Sequence, residues 1–294
     1  MRYQKLWLMV LIGLAIVLAL SACQQNSAST TAAPNTLAKI KAAGVMRACI
    51  APEFPPDMYL DDQGNPAGFS VALAKKMAEA LSVKIEWVQS DFQGVIAGVG
   101  SGKCDIAPGT IAPRAARALV GNFAKVSLLS VVGLAVRADD PRTSIEEFNQ
   151  PDVKFAVLEG TLSEAMYNKY FPKAQVAKFA DVNAGFLEVM NSRADAYPMD
   201  DTTGLSYARQ QPAVKMILLG NGGLGASPAA PFVPLGDDQF VRWIDTFIDE
   251  FINNGDYAPL FEQEMGYPAD IPTLLLYRRD KFTTETARSL PLRD

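Results

Sequence analysis

The stretch VKFAVLEGTLSEAMYNKYFPKAQVAKFADVNAGFLEVMNSRADAYPM, residues 153–199, decides the fold. Val153 to Leu158 is an apolar run of strand length. Gly160 follows, and Thr161-Leu162-Ser163-Glu164 has the form of a capping box, a hydroxyl and a carboxylate placed to satisfy the free N–H groups of a helix start. Val176 to Phe179 reads as a second strand, Asp181 to Ser192 as a second helix, and Ala194 to Met199 as a third strand. Val214 to Leu219 adds one more strand. Strands and helices alternating at this interval build a sheet with helices on its faces.

The same alternation runs outward toward the N-terminus. Leu128 to Val136 is a buried strand, too short to span a bilayer. Before it, Leu37 to Ala43 with Gly44 behind it is a short helix and its stop, and Val45 to Ala51 is a strand. Phe69, Leu73, Met77 and Leu81 mark one helical stripe, and Phe92, Val95, Ile96 and Val99 another. Val83, Ile85 and Trp87 alternate as a strand, and Cys104 to Ala107 is the next. Toward the C-terminus, Phe240, Trp243, Ile244, Phe247, Ile248, Phe251 and Ile252 recur at spacings of three and four, the pattern of a core helix. A shorter helix carries Tyr257, Leu260 and Phe261. Two doubly wound α/β lobes are implied, and Pro268 to Asp294, with no sustained period, reads as an extension over the surface.

Composition narrows the chemistry. The 294 residues contain no histidine, which excludes a Ser/His/Asp or Cys/His nucleophile, a His base and every His-containing metal site. Nothing in the sequence calls for a metal or a cofactor. At the N-terminus, Arg2 and Lys5 precede the apolar run Leu6 to Leu20, and Leu20-Ser21-Ala22-Cys23 follows, the form of an export signal. Leu-Ser-Ala-Cys resembles the bacterial lipobox, whose Cys becomes the lipidated first residue of the mature chain. That makes 1–23 the signal, with Cys23 the lipidation site. Residues 24–35, uncharged and rich in Ser, Thr and Ala, read as a flexible tether. The formal charge of −5 becomes more negative once Arg2 and Lys5 are removed, which disfavours nucleic acid. Spacing alone leaves Cys49 and Cys104 open between a disulfide and two buried thiols.

The order of short motifs resembles the family 3 bacterial extracellular solute-binding proteins, the polar amino-acid receptors of ABC importers. The pieces are Gly44-Val45-Met46-Arg47, Pro55-Pro56 with Asp61 and Gly64, Gly68-Phe69, Ser101-Gly102-Lys103-Cys104-Asp105 and Gly109-Thr110. They continue with Glu159-Gly160-Thr161, Ser192-Arg193-Ala194-Asp195-Ala196 leading to Asp200, and Asn254-Gly255-Asp256-Tyr257 with Gly266. The resemblance implies a type II periplasmic-binding fold with the ligand in a cleft between two lobes. Lobe 1 would comprise 36–131 and 235–266, lobe 2 would comprise 137–225, and hinges would lie at 132–136 and 226–234, with 267–294 as the extension. The implied partners are a small amino-acid or amine solute, an ABC permease and a membrane reached through the lipid anchor, with the receptor a monomer outside the cytoplasm.

A free amino acid leaving water needs charge-assisted donors for its carboxylate and an acid for its ammonium. Arg117 and Arg114, three residues apart, are the candidate clamps. Arg117 is favoured because its distance to Phe123 matches the family's Arg-to-Phe spacing. Gly109, Thr110, Gly160 and Thr161 would add backbone and hydroxyl groups, and Asp200 stands where the family places its acid. Phe54, Tyr59 and Phe92 are candidate walls. The chain departs from the pattern at Asp57, where an aromatic is usual, and at Ser70 and Ala72, where acids are usual. Asp57 reads either as an extra acid in the cleft, which would favour a cationic or amine-rich ligand, or as a solvated loop residue. The competing class is an enzyme on the same scaffold, a cyclohexadienyl-type dehydratase or a cell-wall lyase, with Glu159 or Asp57 as general acid.

Overall fold

A computed structural model describes residues 35–220 and 222–278. The signal, Cys23, nearly all of the tether and residues 279–294 lie outside them. In chain order the elements are α1 (Thr36–Ala43), β1 (Val45–Ile50), β2 (Glu53–Phe54), β3 (Met58–Leu60), β4 (Pro66–Ala67), α2 (Phe69–Leu81), β5 (Lys84–Gln89), α3 (Phe92–Gly100), β6 (Gly121–Phe123) and β7 (Leu128–Arg137). There follow α4 (Ile145–Phe148), β8 (Lys154–Leu158), α5 (Leu162–Tyr170), β9 (Gln175–Phe179), α6 (Val182–Met190), β10 (Ala196–Asp200), α7 (Asp201–Gln210), β11 (Val214–Ile217), β12 (Gly225–Ala229) and β13 (Phe232–Pro234). Three helices close the described chain: α8 (Asp238–Asn253), α9 (Tyr257–Met265) and α10 (Ile271–Arg278).

Residues 153–199 fold as their pattern requires. β8 lies parallel to β9 and β10, and β7 joins the far side of β10 in antiparallel register, giving the order β11-β7-β10-β8-β9. β7 is buried along nearly its whole length, so its sequence is a continuous apolar run rather than an alternation. Val132–Val136 pair with β10, whereas Leu128–Val132 pair with β12. Residues 132–136, expected to form a hinge, are paired with β10, and 128–131 extend past β10 to pair with 226–229 of β12 in the same six-stranded sheet.

The N-terminal segment forms a parallel pair, β1 with β5. The expected strand Cys104–Ala107 is reduced to two single bridges, Ala48 with Ile106 and Ala107 with Phe232. Cys49 and Cys104 are joined by a disulfide, with Cα atoms 5.6 Å apart. The C-terminal helices return to this segment. Phe240, Ile244 and Ile248 of α8, Tyr257 and Phe261 of α9 and Leu274 of α10 share one core with Met46, Phe69, Leu73 and Met77. A separate core holds Val132, Leu134, Phe148, Phe155, Tyr167 and Phe171.

The sequence pattern misses the short strands β2, β3, β4, β6, β12 and β13 and the one-turn helix α4, as well as two longer helices, α7 and α10. α7 has no apolar stripe, because the turn it buries is built of Asp201, Thr202, Thr203 and Gly204. The start of the C-terminal extension is not a loose surface segment. Leu274 and Arg278 of α10 are buried, and Arg278 donates to Asp249 Oδ1 at 2.7 Å and to the Val126 carbonyl at 2.6 Å. An arginine paired in this way packs a helix that hydrophobic periodicity does not announce.

Candidate functional site

Two cavities sharing six lining residues lie where residues 54–117 face residues 158–227. The first is lined by Phe54, Phe92, Thr110, Ala112, Arg117, Leu158, Thr161, Leu162, Ser163, Tyr197, Asp200, Thr203 and Ser227, among others. The second adds Asp57, Leu128 and Ser130 and shares Phe54, Thr110, Ala112, Asp200, Thr203 and Ser227 with the first. Six of the residues singled out from the sequence, namely Phe54, Phe92, Thr110, Arg117, Thr161 and Asp200, thus surround one space, with Asp57 at its edge.

Arg117 is buried in a short 3-10 turn, Arg117–Leu119. Its Nη1 donates to the Ala112 carbonyl at 2.8 Å and its Nη2 to the Gly160 carbonyl at 2.7 Å. The guanidinium lies over the Phe92 ring, 5.0 Å from its centre, which in turn packs on Phe54. Burial, helped by the neighbouring Arg114 charge, pushes its pKa down to about 10, so it stays cationic at neutral pH. Two of its five N–H groups meet protein carbonyls. Arg114 does not line the cavity; its Nη1 donates to the Thr161 carbonyl at 2.8 Å. Both arginines bridge the two sides of the cleft, as does Gln93, whose Nε2 donates to the Glu159 carbonyl at 3.0 Å.

The helix start at 160–164 differs from the expected capping box. Thr161 Oγ1 accepts from the Glu164 N–H at 3.2 Å, but the Glu164 carboxylate takes the N–H of Gly160, at 2.6 Å, rather than that of Thr161. Gly160 has φ of +74°, a backbone turn that only glycine adopts freely. Its N–H and carbonyl are both occupied, so Gly160 supports the site without offering a donor to it. Thr161, Leu162 and Ser163 form the part of the helix N-terminus that lines the cavity, where the dipole favours an anion.

Asp200 ends β10 immediately before α7 and makes no side-chain cap. Burial raises its carboxyl to about 6, reinforced by Asp201 and opposed by hydrogen bonds with Ser227 and Ser130. Asp201, not Asp200, takes the neighbouring backbone donors, the N–H groups of Thr202 at 2.9 Å and Val131 at 3.2 Å. Ser130 and Ser227 were not legible as site residues. A lone Ser within the apolar run of β7 and one before Pro228 are the only signals they give.

Thr110 has φ of +63°, an uncommon backbone state for a β-branched residue and of the kind that collects at functional sites. Gly109 lines neither cavity. A Cβ there would lie 1.9 Å from Ser70 Oγ, so this glycine makes room for Ser70. Tyr59 also lines neither cavity; strand alternation buries Met58 and turns Tyr59 to the other face. Glu159 is exposed. Glu53 lies at the seam, where its Oε2 accepts the Val182 N–H at 3.2 Å. Its carboxyl rises to about 7, first through burial and further through Asp181 and Asp91, while the Val182 bond opposes the rise. Among the described residues no acid or thiol cluster is placed to hold a metal ion, and no helix is long and apolar enough to cross a membrane.

Residues 46–267 match the model of the bacterial extracellular solute-binding proteins, family 3. A probable histidine-binding protein of Campylobacter jejuni is 26% identical over 265 residues, covering 89% of this chain and 98% of that one. The cyclohexadienyl dehydratase of Pseudomonas aeruginosa is 23% identical over 251 residues, covering 82% and 88%. Among solved structures, the ancestral amino acid-binding protein AncCDT-1, described as a precursor of cyclohexadienyl dehydratase, superposes with a TM-score of 0.73 at 28% identity, covering 79% of this chain and all of that one. The fold is that of the type II periplasmic amino-acid-binding proteins.

Proposed function

The chain belongs to the bacterial extracellular solute-binding proteins, family 3, and we propose that it is the receptor of an ABC importer, taking an amino acid into the cleft and handing it to a membrane permease. The observation that carries this reading is the meeting of Arg117 and Asp200 on one cavity. A guanidinium suits a carboxylate, and an acid beside hydroxyls suits an α-ammonium. Phe54 and Phe92 supply the apolar wall. Arg114 is a cross-cleft strut. A hinge at 128–131 and 226–229, where β7 extends past β10 and pairs with β12, would let opening separate Arg117 and Arg114 from residues 159–161.

Calorimetry with the twenty amino acids tests the reading. At least one should bind, Arg117→Lys should weaken it strongly because Lys lacks the fork, and Arg114→Lys should weaken it less. Absence of binding by every amino acid refutes it. Residues 1–23 are proposed as a lipoprotein signal. On that reading the wild type partitions with membranes and Cys23→Ser does not; equal partitioning refutes the anchor.

One observation favours a second reading, an elimination reaction on the same scaffold. Asp57, at the cavity edge, has its carboxyl raised to about 7 by burial, a value suited to a general acid at neutral pH. The relative from P. aeruginosa bears the name of such an enzyme. Turnover of a cyclohexadienyl substrate, abolished in Asp57→Asn, would establish this reading over the receptor.

A further inference from the structure

We propose that Asp57 is a specificity-determining residue that selects a ligand carrying a second positive charge besides its α-ammonium; this rests on the amino-acid-receptor reading of the same cleft. Asp57 is 3% exposed and follows the Pro55-Pro56 turn. One carboxylate oxygen has a structural task. Oδ1 accepts the N–H of Ser70 at 3.0 Å and its hydroxyl at 2.6 Å, tying the loop to the first turn of α2. The close approach of Gly68 to the carbonyls of Pro56 and Asp57, where a Cβ would lie 2.5 Å from each oxygen, holds that loop in place.

The other oxygen has no such task. Oδ2 is buried and has no hydrogen-bond partner, in a residue that lines the cavity shared with Asp200. A cap needs only one acceptor, which an asparagine would supply as well, so the cap does not account for a carboxylate here. A buried carboxylate oxygen without a donor is costly, and the cost is recovered when a ligand brings the donor.

Charge balance indicates what kind of donor. The acids and bases lining the two cavities are Asp57, Asp200 and Arg117. Arg114 lies outside the lining, spent on the carbonyls of Gly160 and Thr161, and Asp201 is turned to the backbone of Thr202 and Val131. A zwitterion with a neutral side chain satisfies Arg117 and Asp200 and leaves Asp57 as an unpaired buried charge. A ligand of net charge +1 pairs all three groups, the arrangement in which buried charges are tolerated. The structure therefore points to amino acids with a guanidinium or ammonium side chain.

The test compares L-arginine with its neutral isostere L-citrulline, and L-lysine with L-norleucine, by calorimetry at pH 8. The wild type should bind the cationic member tighter by roughly ten-fold or more. Asp57→Asn, which keeps the acceptor for Ser70, should bring the two members of a pair within about two-fold of each other by losing the cation rather than the neutral ligand. Asp57→Glu should restore part of the preference, and melting curves confirm that each variant is folded. An unchanged cation-to-neutral ratio in folded Asp57→Asn, or a wild type that prefers the neutral members, overturns the role of Asp57 while leaving the receptor reading intact. A wild type that binds none of these four, nor any other amino acid, overturns the receptor reading and this inference together.

Discussion

Asp105 and Asp57 are buried to the same degree, 2% and 3% exposed, and their surroundings treat them in opposite ways. Asp105 sits beside the Cys49–Cys104 disulfide. Its Oδ2 takes the backbone N–H of Arg47 at 2.9 Å and its Nε at 3.1 Å, while Oδ1 takes Arg47 Nη2 at 2.8 Å and Lys39 Nζ at 3.0 Å. Burial alone would raise its carboxyl, but the bonds from Arg47 and Lys39 outweigh burial and hold it below the usual carboxylate value. Asp57 has one residue, Ser70, on one oxygen and an acid, Asp200, across the cavity, and burial raises it to about 7. Equal burial thus gives a structural acid where donors are complete and a receptive one where they are not.

The largest effect should come from the structural corner. Reducing the disulfide, or replacing Cys49 and Cys104 by Ser, opens a loop of 55 residues, and chain entropy sets the loss at about 4 kcal/mol. Denaturant unfolding with and without reductant measures it. Asp105→Asn keeps the shape but abandons Arg47 and Lys39, and should cost roughly 3 kcal/mol. Because the folded carboxyl lies below its unfolded value, the stability Asp105 contributes is present above about pH 4 and disappears as pH falls through the folded value. The melting difference between wild type and Asp105→Asn should shrink on acidification; a difference that grows would break the comparison.

Asp57→Asn should act in the other direction and less strongly. A carboxyl raised to about 7 costs nothing while it is protonated in both states, below about pH 4. The penalty accumulates as pH climbs toward 7 and is complete above it. The variant should therefore melt like the wild type at pH 4 and be more stable at pH 8, by roughly 2 kcal/mol once relaxation of the site is allowed for. Stabilisation accompanied by loss of cation preference would mark an acid kept for binding. Glu53→Gln sharpens the comparison at the seam. Glu53 also rises to about 7, by burial and the nearby Asp181, and being half exposed it should give the same sign of pH dependence with a gain below about 1 kcal/mol.

Much of the scaffold was legible in the sequence. Capping residues, apolar runs and glycine stops located the longer strands and most of the helices from Thr36 to Met265, because those signals depend on backbone geometry and local burial, but not the short strands β2, β3, β4, β6, β12 and β13 or the one-turn α4. The reading failed where burial is achieved by other means. α7 buries small polar residues, α10 is tied down by an arginine, and Cys104 to Ala107 makes single bridges rather than a ladder. At the site, residue type was a better guide than role. Arg117, Thr161 and Asp200 could be named, but Gly109 and Gly160 line neither cavity, and Ser130 and Ser227 were invisible because a serine carries no pattern.

What the sequence determined by itself is the alternating α/β build, the exclusion of histidine chemistry and the inventory of charged side chains from which a site can be made. These follow from periodicity and from side-chain inventory, which are local properties. Tertiary structure decided which charges stay unpaired. Arg114 and Arg117 stand three residues apart in the chain, yet one lines the cavity and the other only spans the cleft, and Asp105 and Asp57 differ only in what the fold brings to their oxygens. Hydrogen-bond satisfaction is set by neighbours distant in sequence, and it is satisfaction, not residue type, that separates a fully paired carboxylate such as Asp105 from one with an unpartnered oxygen such as Asp57.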